Sequence, residues 1–447
     1  RAMTVASCAL DTATMPFAPE RALETAADIA AVLVTDALWS GERCTWVGAE
    51  PLEQLGPASG PTSAGRLTYR ALGPDLYAGT SGIAVFLAEN AAQTRDVHTR
   101  RTAIGAIRHA LSRQDDIRPE VRGGFYIGWS GVGYAAIRVG ELLNSIEAVE
   151  QGSELLRRMA AVTASVGEYQ PAGADGSINR EFDLVAGDSG AVLALLYGHR
   201  TTGGKEFLAD AVEAAERLLR GACRHDAGWS WRTPGVVTTR DLTGISHGAS
   251  GVAVALTEVY RATHDERFAA YARQAMRYEN HWFDWRKGNW PDFRLRAGEG
   301  RRPGRPETFT TLWCHGAPGI ALARMHASRY LTDAQWAEDA MAAIRTTAKA
   351  TRSFMADGLN FSLCHGLAGN GECMRHAAQA GITDDADLVA DIAWLGVQLY
   401  SSAGQSWPCG THTDLTPNLM LGLAGIGYFY MRHVEPDIPS ILLPVSR

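Results

Sequence analysis

The chain has 447 residues, a formal net charge of -7 and an ordinary globular composition, with 46% hydrophobic and 20% charged residues. The negative charge and the lack of a long basic arm in the sequence argue against a nucleic-acid partner. No stretch approaches the ~18 uninterrupted apolar residues of a membrane span, and the first thirty residues do not have the pattern of a signal peptide. We therefore expect a cytoplasmic protein with no membrane partner.

Seven polar segments with helical character recur along the chain, and most are rich in Ala, Glu, Arg and Leu. They are predicted over 22–38, 95–113, 149–166, 206–220, 266–280, 332–350 and 384–401. In the segment 206–220, apolar residues recur at helical spacing, which places them on one face of a helix. Residues 1–20 are predicted to form an irregular N-terminal segment.

Gly-x-x-Gly turns, each followed by a small-residue apolar stretch, alternate with the polar segments. The first glycines of these turns lie at positions 79, 128, 187, 248, 316, 366 and 422. Steps of 49 to 68 residues between them are long enough for two helices and their connections. The pattern predicts an all-α fold, an α/α toroid or double-layer barrel of seven helical hairpins and about fourteen helices, with residues 1–447 as one domain.

Apolar inner helices in such a toroid would point their N-termini at one end of a central cavity, where we expect the active site. Glycine at their starts lets the chain turn sharply and lets backbones approach closely. The turns at Gly79 and Gly422 carry no ionisable residue at the helix start and are expected to be structural. Four other turns carry chemically useful residues. The third follows Asp183, the fourth follows His247, and the fifth and sixth follow Cys-His pairs.

The two Cys-His-Gly triplets are the strongest chemical signal in the sequence. They are Cys314-His315-Gly316 and Cys364-His365-Gly366, 50 residues apart. A thiolate is favoured at a helix N-terminus, and this spacing is too wide for a zinc finger. The triplets therefore indicate one zinc site assembled by the fold, of the catalytic type. The seven cysteines are odd in number and scattered, which favours reduced thiols, and Cys373 and the remaining cysteines are predicted core residues.

Five motifs carry a family resemblance. They are Ser246-His247-Gly248-Ala249-Ser250-Gly251, Gly288-Asn289-Trp290-Pro291-Asp292, Trp313-Cys314-His315-Gly316-Ala317-Pro318-Gly319-Ile320, Leu363-Cys364-His365-Gly366 and Gly422-Leu423-Ala424-Gly425-Ile426-Gly427-Tyr428. Together with the seven ordered turns, they make the chain resemble the LanC-like lanthipeptide cyclases, especially the C-terminal cyclase domain of class II lanthipeptide synthetases. The resemblance extends from about Cys44 to the C-terminus.

The resemblance implies a zinc ion held by Cys314, Cys364 and His365, with a fourth position open for a substrate thiol. The implied reaction adds cysteine thiolates to dehydroalanine or dehydrobutyrine in a precursor peptide, forming lanthionine or methyllanthionine rings. His247 and Asp183 match the catalytic histidine and aspartate of the family, and an imidazole suits proton transfer near neutral pH. A core histidine and a helix-cap aspartate are the alternatives for these two residues.

Two further positions are less determined by the resemblance. His315 is expected to line the cavity as a substrate-binding residue or one that supports the metal ligands, with a structural role as the alternative. Stand-alone family members often carry an arginine four residues before the first zinc cysteine, where this chain has Thr310. A role for that arginine in steadying an enolate does not transfer here. Thr311 or a residue from elsewhere in the chain is left to supply it.

The segment from Arg286 to Arg305 interrupts the repeat with seven basic residues against two acidic ones. We expect a long surface loop near the cavity mouth. It either contacts an acidic leader peptide or substrate, or is simply solvated. The expected partner is a dehydrated precursor peptide, whose dehydration requires a separate dehydratase or an N-terminal dehydratase region absent from this sequence.

Two rival functions fit the predicted fold. An enzyme of other chemistry, such as a glycoside hydrolase or a prenyltransferase-like subunit, is one of them, but the turns offer no convincing pair of opposed carboxylates for a glycosidase. A LanC-like protein that binds a thiol such as glutathione, or acts as a scaffold without cyclase activity, is the other.

Overall fold

Fourteen α-helices in two alternating kinds make up most of the part of the chain that the structure describes. The computed structural model describes residues 18–51, 67–165, 180–234, 236–295, 306–358, 360–383, 385, 387–402, 405–410 and 415–445. Within these ranges the six cysteines are free thiols. No helix among the described residues is both long enough and apolar enough to cross a bilayer.

Seven apolar helices form the inner ring of the molecule. They are α2 (Thr80–Thr94), α4 (Trp129–Leu143), α6 (Asp188–Thr202), α8 (Ala249–Thr263), α10 (Ala317–Ser328), α12 (Leu367–Gln379) and α14 (Leu423–Val434). Each begins directly after the first glycine of a Gly-x-x-Gly turn, as predicted. Each packs against the next inner helix, and α14 packs against α2. The inner ring is therefore closed.

Seven amphipathic helices form the outer ring. They are α1 (Pro19–Thr35), α3 (Val97–Ser112), α5 (Ile146–Ser165), α7 (Lys205–Arg220), α9 (Glu266–His281), α11 (Ala334–Asp357) and α13 (Asp387–Gly396), the last followed by a π-helical segment, Val397–Ser402. Each outer helix packs against the inner helix that precedes it, and α1 packs against α14. The predicted α/α toroid is confirmed. The pairing of α1 with α14 shows that the seventh hairpin joins the two ends of the described chain.

The predicted irregular segment 1–20 lies mostly outside the described residues, and α1 already begins at Pro19. Eight short strands, which the sequence analysis did not predict, form four antiparallel pairs. They are β1 (Leu38–Ser40) with β2 (Arg43–Thr45), β3 (Val47–Pro51) with β4 (Leu67–Ala71), β5 (Cys223–His225) with β6 (Gly228–Ser230), and β7 (Pro291–Asp292) with β8 (Thr308–Phe309). The last pair brings the basic segment beside the turn that precedes α10.

Close backbone packing explains the second glycine of each turn. In every repeat this glycine faces the carbonyl oxygen of the residue six positions earlier, and a Cβ would overlap with it. The pairs are Gly82 with Leu76, Gly131 with Phe125, Gly190 with Leu184, Gly251 with Ile245, Gly319 with Trp313, Gly369 with Leu363 and Gly425 with Leu419. The loop before each inner helix thus wraps tightly around the first turn of that helix.

Hydrogen bonds link the seven turns into a closed circuit, through the residue two positions before each first glycine. Six links are backbone N–H to carbonyl bonds, from Tyr77 to Tyr126 (2.8 Å), Tyr126 to Val185 (3.2 Å), Val185 to Ser246 (3.4 Å), Cys314 to Cys364 (3.4 Å), Cys364 to Met420 (2.9 Å) and Met420 to Tyr77 (3.0 Å). The seventh runs from the Ser246 hydroxyl to the Cys314 carbonyl oxygen (2.7 Å). We call this ring the turn circuit.

The packing of Gly131 is directly testable. Gly131→Ala should lower the free energy of unfolding by roughly 1–3 kcal/mol or more, because the new methyl group overlaps with the Phe125 carbonyl. Gly123→Ala is the matched control, since its Cβ would lie 3.6 Å from the nearest atoms, an ordinary contact. Denaturant unfolding of both variants measures the difference. Equal stability of the two variants would contradict the packing argument.

Candidate metal centre and catalytic residues

The two Cys-His-Gly triplets meet at one point of the turn circuit. The potential ligand atoms of Cys314, Cys364 and His365 all lie within 4.8 Å of one another. Cys314 and Cys364 occupy the same position in consecutive turns, and the Cys314 amide donates to the Cys364 carbonyl oxygen. The closed ring therefore brings together three potential metal ligands from triplets 50 positions apart in sequence, and we call these three residues the metal cluster.

The His365 ring is oriented by a backbone hydrogen bond. Its Nε2 lies 3.0 Å from the carbonyl oxygen of Gly410. A carbonyl oxygen only accepts hydrogen bonds, so Nε2 must carry the proton and Nδ1 is the nitrogen left for a metal. The hydrogen bond between the same imidazole and the Cys314 thiol is consistent with this assignment.

Tyr77, two links from Cys364 along the turn circuit, also contacts the metal cluster. Its hydroxyl is in hydrogen-bond contact with the Cys364 thiol. Hydrogen bonds from Cys314 and then from Tyr77 lower the pKa of Cys364, although burial opposes this. The turn at Gly79, which we expected to be structural, therefore also reaches the site. The sequence contains one signal for this role of Tyr77, which is its position: Tyr77 precedes Gly79 by two residues, as Cys364 precedes Gly366.

His247 and Asp183 form a hydrogen-bonded pair at the ends of adjacent turns. His247 Nδ1 lies 2.7 Å from Asp183 Oδ2, and Asp183 is only 4% exposed. The other carboxylate oxygen, Oδ1, accepts a hydrogen bond from the Ala186 amide (2.7 Å). Asp183 thus closes its own turn and also orients the imidazole. The bond to Ala186 lies before α6, whose N-cap residue is Gly187 and has no side-chain cap bond.

The charge of Asp183 determines the protonation preference of His247. Burial by itself would lower the pKa of His247, but the charge and hydrogen bond of Asp183 outweigh burial and raise the pKa above 6.5. The imidazolium form is therefore more stable at this position than in an unperturbed histidine. With Nδ1 committed to Asp183, Nε2 is the nitrogen available for proton transfer.

Glu279 of the outer helix α9 holds the turn that carries His247. Its Oε1 accepts from the amides of Gly244 (2.8 Å) and Ser250 (2.9 Å), and its Oε2 accepts from the Ser250 hydroxyl (2.5 Å). Arg324 neutralises this fully buried carboxylate at 3.1 Å. Sequence reasoning missed Glu279 because nothing in α9 alone shows that an acidic residue points into the neighbouring turn.

His315 is buried beside His247 without a polar partner. Its side chain belongs to a residue only 1% exposed, and neither ring nitrogen has a hydrogen-bond partner among the described residues. Its ring stacks on that of His247, with centroids 6.0 Å apart. Burial, and then the charge of Arg294, lower the pKa of His315 well below 6.5. It lies outside the three-residue metal cluster, and its predicted role as a cavity residue remains a prediction.

Thr310 and Thr311 participate in the turn that precedes α10. The Thr310 hydroxyl donates to the His315 carbonyl oxygen (2.8 Å), and the Thr311 hydroxyl contacts the Asn289 amide (3.3 Å). Asn289 also donates to the Thr310 carbonyl oxygen (2.9 Å). At the position where the related arginine was expected, this chain therefore has a residue that closes the turn.

Arg294 connects the basic segment to the site. Its guanidinium contacts Asp292 through Nε (3.0 Å) and Nη2 (2.7 Å), and it interacts electrostatically with Cys314 and Cys364. Arg294 forms an isolated β-bridge with Thr238 just after β7, and its side chain is 38% exposed, so the surface loop expected near the cavity mouth remains a prediction. The basic residues at positions 296, 301, 302 and 305 lie outside the described residues, so the expected contact with an acidic peptide remains a prediction.

Comparison with known proteins gives a family match over most of the chain. A family model described as "Lanthionine synthetase C-like protein" matches residues 70–443. The lacticin 481/lactococcin biosynthesis protein LcnDR2 of Lactococcus lactis subsp. lactis is 25% identical over 206 residues, which cover 43% of this chain and 21% of that relative. The chain thus spans about a fifth of the length of that relative.

The structure is also similar to that of nisin cyclase. The TM-score is 0.58 at 14% sequence identity, with 81% of this chain and 89% of the nisin cyclase chain covered. At this low identity, the similarity supports the toroidal fold.

The electrostatic coupling of Asp183 and His247 gives a pH prediction. Asp183→Asn should lower the pKa of His247, because burial then acts without the compensating charge. In the wild type, a raised pKa means that the pair contributes stability below about pH 6.5 and loses it as the pH rises through the folded-state pKa. The stability difference between wild type and variant should therefore be larger at pH 5–6 than at pH 9.

Nuclear magnetic resonance titration of His247 measures the pKa directly. Asp75→Asn is the matched control, since Asp75 makes the same turn-closing bond to the Ala78 amide (2.7 Å) in the first repeat. It should leave the pKa of His247 unchanged. An unchanged pKa in Asp183→Asn would refute the coupling.

Proposed function

This chain belongs to the lanthionine synthetase C-like family, and from that membership we propose that it is a zinc-dependent peptide cyclase. The proposed reaction adds cysteine thiolates to dehydroalanine or dehydrobutyrine residues of a precursor peptide, forming lanthionine or methyllanthionine thioether rings. The observation that carries this proposal is the placement of the metal cluster and the His247–Asp183 pair on neighbouring turns of one ring.

The chemistry of the donor set fits zinc. Cys314 and Cys364 supply two sulfur atoms and His365 supplies an imidazole nitrogen, whose other nitrogen is fixed by Gly410. Soft sulfur together with imidazole suits zinc, and three protein ligands leave a fourth position for substrate, as in catalytic zinc sites. When bound there, zinc would lower the pKa of a substrate thiol so that it is deprotonated near neutral pH.

His247 and Asp183 account for the proton transfers of the reaction. After the sulfur–carbon bond has formed, the α-carbon of the former dehydroamino acid must receive a proton. His247 Nε2 is the proposed donor, because Nδ1 is held by Asp183 at 2.7 Å. The negative carboxylate stabilises the imidazolium that donates the proton, and its bond to Ala186 keeps the carboxylate in place.

The proposed substrate is a dehydrated precursor peptide with free cysteines. Dehydration of serine and threonine is a different reaction, and the proposal assigns it to a separate dehydratase or to a dehydratase region outside this sequence. The printed name of the relative LcnDR2, a lacticin 481/lactococcin biosynthesis protein, supports a role in the synthesis of such a peptide.

Metal content tests the ligand assignment. The wild-type protein should contain about one zinc per chain, and Cys364→Ala should lose it, because two remaining donors hold zinc poorly. Cys373→Ala is the matched control, since Cys373 is a fully buried thiol outside the metal cluster. Elemental analysis after removal of loosely bound metal gives the count. Wild-type protein without zinc, or Cys364→Ala with a full complement, would contradict the assignment.

Separate variants test the division of labour between the metal cluster and His247. His247→Ala should retain zinc but lose roughly 10²–10⁴-fold in the rate of ring closure, the usual contribution of a general acid or base. Cys314→Ala should lose zinc and activity together. His98→Ala, at an exposed position of α3, serves as the control. Thiol alkylation and mass spectrometry of a dehydrated peptide count the open cysteines. Ring closure at the wild-type rate by His247→Ala would disprove the role of His247.

A further inference from the structure

Ring closure places negative charge on an oxygen atom of the substrate. As the sulfur bonds to the β-carbon, the π electron pair between the α- and β-carbons shifts, and the carbonyl oxygen of the dehydroamino acid becomes an enolate oxygen. When the α-carbon receives its proton, the carbonyl double bond forms again. The thiol proton lost and the proton gained balance, and no oxidant or reductant is needed. A preorganised hydrogen-bond donor at that oxygen would accelerate the reaction.

His315 is a donor without an acceptor. Its residue is 1% exposed, and neither ring nitrogen has a partner in the described part of the chain. An imidazole carries at least one N–H group in either protonation state. Leaving that group buried and unpaired costs free energy, and most buried polar groups avoid this. The cost is understandable if a ligand supplies the missing acceptor.

Arg294 is a second hydrogen-bond donor, and only part of its guanidinium group is bonded to Asp292. Its Nε and Nη2 donate to the two Asp292 oxygens, at distances of 2.7 to 3.2 Å. Its Nη1 has no hydrogen-bond partner among the described residues. Asp292 is only 9% exposed on its side chain, so it provides a rigid anchor for the guanidinium. Arg294 can therefore present one N–H edge to a bound molecule without losing its ion pair.

The backbone between the fourth and fifth turns brings these donors to the site. Thr243 donates to the Pro291 carbonyl oxygen (2.9 Å), and Thr308 donates to the Asp292 carbonyl oxygen (3.2 Å). The strand β7 is thereby fixed between the turn of His247 and the segment that leads to Cys314. Arg294 lies within electrostatic range of both cysteines of the metal cluster and of both histidines beside it.

Given the proposed cyclase function, on which this inference rests, we propose that Arg294 and His315 form an oxyanion site. Its ligand is the carbonyl oxygen of the dehydroamino acid residue under attack. The stacking of His315 on His247, with centroids 6.0 Å apart, places this oxygen site beside the proton donor, as the reaction requires. Thr310 does not compete for this role, because its hydroxyl is bonded to the His315 carbonyl oxygen.

Kinetics of ring closure in two variants test the oxyanion site. Arg294→Gln and His315→Leu should each lower kcat by about 10²-fold or more, with KM changed only a few-fold, because the donors act on charge that develops after binding. Both variants should keep the wild-type zinc content. Arg286→Gln is the matched control, since it removes an exposed arginine of the same segment, and it should retain wild-type kcat.

Thermal unfolding of zinc-loaded protein gives a readout that does not depend on catalysis. His315→Leu should not lower Tm, because leucine has no buried donor to satisfy. If His315 had a structural role, its replacement would lower Tm. A lowered Tm together with an altered KM would overturn the proposal in favour of a structural role.

Two kinetic results also overturn it. If the wild type is active and either variant has a kcat within twofold of the wild-type value, the oxyanion site is disproved. The proposed cyclase function would then still stand. A zinc-loaded wild type that forms no rings would disprove both proposals.

Discussion

The turn circuit is the constraint on which the site depends. Seven hydrogen-bonded links join equivalent residues of successive turns, and the last link closes on the first at Tyr77. Because the circuit is closed, each turn has one position relative to its neighbours. Cys314 and Cys364 are themselves members of it, so the distance between the two sulfur donors is set by the same bonds that close the ring. His247 and His365 follow circuit residues directly, so the same bonds also fix the positions of the proposed proton donor and of the third proposed metal ligand.

The outer ring contributes buried charge that holds the turns of Asp183 and His247. Arg217 of α7 pairs with Asp188 (2.8 Å), the first residue of the helix that follows Asp183. Glu279 of α9 makes the corresponding contacts to the turn of His247 and is neutralised by an arginine of α10. Buried ion pairs of this kind add little net stability compared with apolar packing, but breaking one leaves an unpaired charge in the protein interior. They make a displaced turn costly, so the positions of the acid/base residues are defined by charge as well as by backbone bonds.

The toroid could be predicted from the sequence because its signals are local and repeated. Each glycine turn and each amphipathic segment has its own pattern, and the two Cys-His-Gly triplets are recognisable as potential metal ligands from their sequence alone. Tyr77, Glu279 and Arg294 could not be predicted in this way. Tyr77 contacts Cys364 only because the ring closes. Glu279 lies on an outer helix and contacts a turn of the inner ring. Arg294 follows a two-residue strand in a segment whose sequence is typical of a polar loop. The contacts of Glu279 and Arg294 join distant parts of the chain and have no local pattern, and the sequence signal for Tyr77 is only its position two residues before Gly79.

A cyclase and a thiol-binding family member differ in the fate of a thiol at the metal cluster. The decisive measurement offers the zinc-loaded wild-type protein a dehydrated cysteine peptide and, in parallel, the same peptide before dehydration. Ring closure leaves the peptide mass unchanged, so alkylation followed by mass spectrometry must count the remaining thiols. We predict that alkylatable cysteines disappear from the dehydrated peptide alone, at a rate that depends on the protein. Binding of both peptides with every cysteine still open to alkylation would contradict the cyclase function and identify a thiol-binding protein.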